Sequence, residues 1–191
     1  MNRHEALELV HEFIKTEGLI NHMLSVEAAM RWYARKLNQD EEIWGLTGLL
    51  HDYDWEVHPI RGDHPNLGLS LLRDRGVSEE VIYSIASHAD NPEYPRVSLL
   101  DKALYACDEI TGMITAVALV RPSRSLYDLE ATSVKKKWKD KSFAAGALRP
   151  VMESGAEEFG MPLWEHVQNV IHAMRAIAPE LGLAGDLEPT A

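Results

Sequence analysis

The sequence predicts an all-α protein, and three observations carry that reading. Apolar residues recur at helical spacing along most of the chain, no stretch sustains the alternation of a strand, and Pro, Gly, Ser and Asp punctuate the periodic segments where helices start and stop. Residues 3–17 form the first expected helix, with Ala6, Leu7, Val10, Phe13 and Ile14 on one side and Gly18 ending it. Residues 20–37 form the second, with Met23, Val26, Ala29, Met30 and Tyr33 as its stripe and His22 in its first turn. Asp40 is an N-cap for the third, and Glu41 and Glu42 suit the positive end of its dipole. That helix runs through the apolar segment Ile43–Leu50 to His51-Asp52.

Residues 53–63 read as a loop. Pro65 fits the first position of a fourth helix containing Leu67, Leu71 and Leu72 and stopping before Gly76. Ser78 caps a fifth, with Val81, Ile82 and Ile85 on one face and His88 at its C-terminal end. Asn91-Pro92 and Tyr94-Pro95 mark a turn. Ser98 caps a long helix to Val120, broken by Arg121-Pro122. Short helices are expected at 126–131 and 133–138, then longer ones at 149–159 and 162–178, the last with Pro162 in its first position. The tail after Gly182 reads as frayed.

At 191 residues and 46% hydrophobic content, the chain is expected to form one domain with a packed core. The N-terminus lacks a signal-peptide pattern, and the longest uncharged stretch, Ile110 to Val120, is short for a membrane span. The expectation is therefore a cytoplasmic protein with no membrane partner. The single cysteine, Cys107, excludes an internal disulfide and reads as a small core residue. A net charge of −11 disfavours long nucleic acid, whose binding depends on phosphate neutralisation by Lys and Arg. Positive charge is concentrated in one run. Lys135, Lys136, Lys137, Lys139 and Lys141, with Arg149 downstream and Arg121 and Arg124 upstream, form a candidate site for a small phosphorylated substrate. A solvated helix face is the structural alternative for that run.

The adjacent pair His51-Asp52 is the strongest chemical signal. It follows an apolar helix, where a His-Asp pair is costly unless a charge compensates it, and a metal ion is the simplest compensation. His22 precedes the pair, and His64, His88 and Asp108 follow at or near helix ends. Metal sites in helical bundles are built from inward-facing side chains on several helices, and imidazole with carboxylate suits divalent Mn, Fe, Co, Ni or Zn. His4, His11, His58, His166 and His172 read as ordinary core or surface residues.

The ordered set His22, His51-Asp52 and Asp108 resembles the HD-domain superfamily of metal-dependent phosphohydrolases. The segments His64-Pro65-Asn66-Leu67-Gly68 and Ser87-His88-Ala89 resemble its HDIG-type branch. Asp108–Gly112, Val120-Arg121-Pro122 and Lys135–Ala145 resemble a group of uncharacterised HD hydrolases. The resemblance implies an HD-domain helical bundle, with its metal-site core at about 20–120 and a small C-terminal helical extension at 121–180. It also implies that His22, His51, Asp52 and Asp108 bind one divalent ion and that Asp52 bridges to a second, held by His64 and His88; Mg belongs with the metals already named. One departure stands out. HDIG proteins continue with Ile-Gly and often Lys after His-Asp, whereas this chain reads Tyr53-Asp54-Trp55-Glu56. The Gly-Tyr-Pro signature of cyclic-di-GMP phosphodiesterases is absent as well.

The activity so implied is hydrolysis of a phosphate ester by metal-activated water, whose pKa a bound ion lowers to about 7. Asp52 would orient that water or bridge the metals. Asp54 or Glu56 would supply a general acid, or alternatively orient a His ligand. Lys135, Lys136, Lys137, Lys139 and Arg149 would neutralise substrate phosphate. Tyr53, Trp55 and Trp138 would stack on a base or pack in the core. Two other classes fit the same ligands: a di-iron oxygenase of the superfamily and a non-catalytic nucleotide-sensing domain.

Overall fold

The computed structural model describes residues 1–60 and 63–187; Arg61 and Gly62 of the expected 53–63 loop, and the last four residues of the expected tail, lie outside that range. Nine helices and no β-strand occur among the described residues: α1 (Arg3–Phe13), α2 (Glu17–Leu37), α3 (Glu41–Leu50), α4 (Leu69–Asp74), α5 (Glu79–Ser87), α6 (Leu99–Val120), α7 (Ala131–Trp138), α8 (Arg149–Glu158) and α9 (Leu163–Arg175). The protein is all-α, as its periodicity predicts. The chain divides into two compact units, Met1–Tyr105 and Ala106–Ala191.

In the first unit, α1 starts at a reciprocal capping box. Asn2 accepts from the Glu5 N–H, and Glu5 accepts from the Asn2 N–H. It ends at Phe13, four residues earlier than expected, because Lys15 and Thr16 turn their N–H groups onto the Glu56 carboxylate at 2.9 and 2.8 Å. α2 then runs to the left-handed Asn38. The Asp40 side chain accepts from the Glu42 and Ile43 N–H groups and opens α3 as expected.

α3 is the central element of this unit and packs against α1, α2 and α5. Its buried face includes Leu49 and Leu50, which join Leu9, Met23, Leu72 and Ile82 in one core. Gly48 permits the tight approach of α2: a Cβ there would lie 2.9 Å from the Glu27 Cα. Glu27 is itself only 3% exposed and is held by both Arg3 and Arg31. Arg31 also pairs with Glu42 on α3 at 2.8 Å, so ion pairs tie the α2–α3 seam at its edge.

The fourth helix differs from expectation. It begins at Leu69, not Pro65, since residues 64–68 form turns that lie against Tyr53 and Asp54. The Tyr53 hydroxyl donates to the Gly68 carbonyl at 2.5 Å, and Tyr53 is buried in the core rather than presented to a ligand. α5 begins after Ser78, which holds the N-cap position without a side-chain bond, and delivers His88 as its C-cap. Ser98 opens α6. Its hydroxyl accepts from the Asp101 N–H, and Asp101 accepts from the N–H groups of Val97 and Ser98.

α6 is long and apolar enough to cross a membrane by length and composition, with a mean hydropathy of 1.5, but 61% of that stretch is buried within the protein. Burial of this kind is what a core helix of a folded domain shows. Cys107 is fully buried in it, and burial pushes its thiol pKa up, which fits the reading of a core cysteine.

In the second unit, α7 and α8 each pack on α9. Val134, Met152, Val167, Val170, Ile171 and Met174 are among its buried side chains. The expected helix at 126–131 is replaced by turns, since Arg175 draws the Leu126 and Leu129 carbonyls onto its guanidinium. Pro162 precedes α9 as its N-cap, one position earlier than expected. The segment after Gly182 is not frayed over its described part. The Leu126 N–H donates to the Leu183 carbonyl at 2.8 Å, Leu183 is buried, and Gly185 takes a positive φ where a Cβ would collide with the Ser123 carbonyl at 2.1 Å.

Candidate metal centre

Four imidazoles of the first unit converge on one carboxylate. α2 supplies His22, the end of α3 supplies His51 and Asp52, the loop before α4 supplies His64, and the end of α5 supplies His88. The Nε2 atoms of His22 and His51 lie 3.7 and 3.5 Å from Asp52 Oδ2. Those of His64 and His88 lie 3.0 and 3.5 Å from Asp52 Oδ1. The imidazoles also meet in pairs: His22 and His51 Nε2 are 3.2 Å apart, and His64 and His88 Nε2 are 3.3 Å apart. Each oxygen of Asp52 therefore faces one pair of ring nitrogens.

The rings are oriented from behind. His51 Nδ1 donates to the Gly48 carbonyl at 2.9 Å, and His88 Nδ1 donates to the Ile85 carbonyl at 2.6 Å. A carbonyl can only accept, so the hydrogen sits on Nδ1 in both rings and Nε2 is left to face Asp52. His64 Nδ1 is likewise engaged, by Asp54 Oδ1 at 2.6 Å. Trp55 packs edge-on against the His64 ring, with centroids 4.9 Å apart. Trp55 is thus a wall of the site, the packing role weighed against base stacking.

The electrostatics follow from this crowding. Burial penalises the charge of Asp52, but the charges of His51 and His22 and the bonds from His64 and His88 overcome it, holding the carboxyl well below its usual range. Burial also works against a charged His64, yet its bonds to Asp52 and Asp54 push its pKa up to about 9. The arrangement suits a divalent cation. Asp52, His64 and His88 offer donor atoms that all lie within 4.8 Å of one another. Facing ring nitrogens with Nδ1 fixed as the donor leave lone pairs that a cation satisfies together. Asp52 and His22 keep 15% and 20% side-chain exposure, whereas His51 has none, so the carboxylate retains a partial opening to solvent.

The other expected site residues fall differently. Asp108 lies on α6, three residues into the second unit and on the same unbroken helix as Leu99–Tyr105. Glu56 is committed to Thr16 and Lys15: the Thr16 side chain first, then the Lys15 and Thr16 N–H groups, lower its pKa, so it is an ionised strut at the start of α2 rather than an acid. Lys135, Lys136, Lys137 and Lys139 are exposed residues of the second unit. Lys135 Nζ stands 5.3 Å from the Trp164 ring and Lys137 Nζ 5.2 Å from the Phe143 ring. Arg149 differs from expectation: its guanidinium donates to the carbonyls of Asp140, Phe143, Ala144 and Ala147, closing the 140–147 loop instead of presenting to an anion. Trp138 packs edge-on against Trp164. Arg121 is held by Asp128 and Ser133.

A family model for the HD domain matches residues 19–113, a span that contains all six expected ligands. Residues 19–113 are an HD domain. The curated proteins that this chain resembles include Ribonuclease Y of Oleidesulfovibrio alaskensis, 27% identical over 71% of this chain and 27% of the relative. Ribonuclease Y of Listeria monocytogenes is 31% identical over 71% of this chain and 26% of its own length. Ribonuclease Y of Lactobacillus gasseri is 30% identical over 50% of this chain and 18% of its own. The chain spans about a quarter of the length of the first of these relatives. No solved structure matches it. The HD domain and its His/Asp groups fit a metal-dependent hydrolase; the domain family does not distinguish a phosphomonoesterase from a phosphodiesterase.

Proposed function

We propose that this protein is a metal-dependent phosphohydrolase of small phosphate esters, phosphodiesters included. The observation that carries the reading is the pairing at Asp52, each of whose oxygens faces two imidazole nitrogens with ring orientations set by Nδ1 bonds. His64, His88 and Asp52 would hold one divalent ion. His22 and His51, with Asp52 as the shared ligand, would hold another. A bound divalent ion supplies a polarised phosphoryl oxygen and an acidified water. The chain itself contributes a carboxylate kept ionised between the two groups, rings fixed before substrate arrives, and a partial opening at Asp52 and His22.

Phosphodiesters enter the reading because the similar proteins are named ribonucleases, and the chain's net charge of −11 favours short substrates over long nucleic acid. Exposed Lys136 and Lys139 are the proposed phosphate-binding cations, in preference to Arg149, whose guanidinium is engaged by loop carbonyls. A panel of phosphomonoesters, dinucleotides and short oligoribonucleotides, assayed with Mn, Co, Ni and Mg, tests the reading. Hydrolysis of at least one class, abolished by chelation and by Asp52→Ala, is expected. Turnover that survives Asp52→Ala, or an absence of turnover in a protein shown to hold its metal, would overturn it.

A further inference from the structure

We infer that Asp54 is the positioning residue for His64, and that Gly68 exists to make room for it. The inference rests on the reading of His64 as a metal ligand and adds the device that aims it. Asp54 follows the His51-Asp52 pair by two residues, on the same segment that carries the central carboxylate.

Three observations carry it. Asp54 is 2% exposed, and its Oδ1 accepts the His64 Nδ1–H at 2.6 Å. That bond places the hydrogen on Nδ1 and turns Nε2 toward Asp52 Oδ1 at 3.0 Å, whereas His51 and His88 are turned the same way by carbonyls of their own helices. His64 lies in the turns before α4 rather than at a helix end, and a carboxylate takes over the task. Second, Asp54 Oδ2 is buried with no hydrogen-bond partner among the described residues. A buried carboxylate oxygen left without a bond is costly, so it is retained only where its other oxygen performs a function. Third, the carboxylate lies where a side chain of residue 68 would otherwise be. A Cβ on Gly68 would stand 2.6 Å from Asp54 Oδ2 and 2.7 Å from the Tyr53 hydroxyl oxygen.

A carboxylate behind a ligating imidazole fixes the ring's orientation and makes Nε2 a stronger donor, and loss of such a partner costs about 10–100-fold in metal affinity. Asp54 acts through His64 and is not placed to serve as the general acid, because Oδ1 is occupied and both oxygens are shut away from solvent.

The test has two readouts, neither of them turnover. The first is the Nδ1 proton of His64 in metal-free, 15N-histidine-labelled full-length protein, assigned by its absence in His64→Gln. The second is the affinity for Zn and Mn measured by titration. Wild type is expected to show a downfield, slowly exchanging Nδ1 proton. Asp54→Ala should lose that signal and bind the ion about 10–100-fold more weakly. Asp54→Asn, which keeps a neutral acceptor, should retain the signal with a smaller loss. Gly68→Ala should copy Asp54→Ala while the carboxylate is still present, which separates positioning from charge. An Asp54→Ala protein that folds, keeps the His64 signal and binds metal like wild type would overturn the inference. Loss of binding in His64→Gln but not in Asp54→Ala would also overturn it while sparing the proposed function. No cation binding by wild type would defeat the proposed function first, and this inference with it.

Discussion

Gly48 faces Glu27 so closely that a Cβ on Gly48 would stand 2.9 Å from the Glu27 Cα and 2.9 Å from its backbone nitrogen. That approach is made by backbone, which cannot turn aside as a side chain can. It locks α2 against α3, and those two helices carry His22 and His51, whose Nε2 atoms meet at 3.2 Å. Gly48 also supplies the carbonyl that orients His51.

Gly48→Ala is therefore expected to destabilise the protein by about 1–3 kcal/mol through overpacking, even though Ala is the better helix former. Denaturant midpoints measure this. Metal affinity of the folded fraction should fall as well, since His22 and His51 are moved apart. Unchanged stability would show that the seam yields more easily than its backbone contact implies.

Glu56→Gln tests the separation of strut from acid. Both Glu56 oxygens accept backbone N–H groups at the entrance to α2. The variant is expected to lower the melting temperature and leave kcat unchanged. A large fall in kcat at unchanged stability would restore Glu56 to the chemistry.

Much of this was legible in the sequence, and the part that was not has identifiable causes. Asp40, Ser98 and the apolar run before His51-Asp52 announced their helices because capping and periodicity are local. The histidines that face Asp52 were legible because His51 and His88 close helices that their periodicity announced, and because the order of the four along the chain resembles a family. Pro65 misled, because its fitness for a helix start is local while residues 64–68 are held by Tyr53 and Asp54 from another segment. Glu56 and Arg149 misled for the same reason: charge type is visible in a sequence, but the Lys15 and Thr16 N–H groups and the four loop carbonyls that claim them are not. Gly48 and Gly68 gave only weak signals, as glycines inside or beside helical patterns.

His166 gives a prediction in pH. It is fully buried, its Nε2–H donates to the Ala106 carbonyl at 2.8 Å, and burial, only partly opposed by that bond, lowers its pKa to about 4. Unfolded, the ring titrates near its ordinary 6.5. Between those values the unfolded chain binds the extra proton, so His166 makes stability fall as pH drops from about 6.5 to about 4, and it has no effect above that window. His166→Gln should flatten this part of the stability profile relative to wild type, read from denaturant midpoints at pH 4.5, 5.5 and 7. Parallel profiles would contradict the burial-driven shift.

Arg149 and Lys136 make a paired prediction. Arg149→Lys loses the planar fork that reaches carbonyls on several sides, so proteolysis of the 140–147 loop should quicken. Lys136→Ala should leave the loop intact and raise KM. A raised KM from Arg149→Lys without any change in proteolysis would return Arg149 to substrate binding.

The central claim is that the imidazoles gathered at Asp52 share divalent cations. Anomalous diffraction from crystals of the full chain grown with manganese tests it most directly. The account predicts density within bonding distance of Asp52, His64 and His88, and no such density in Asp52→Ala. Manganese bound elsewhere, with the four Nε2 atoms left in contact with Asp52 alone, would contradict it.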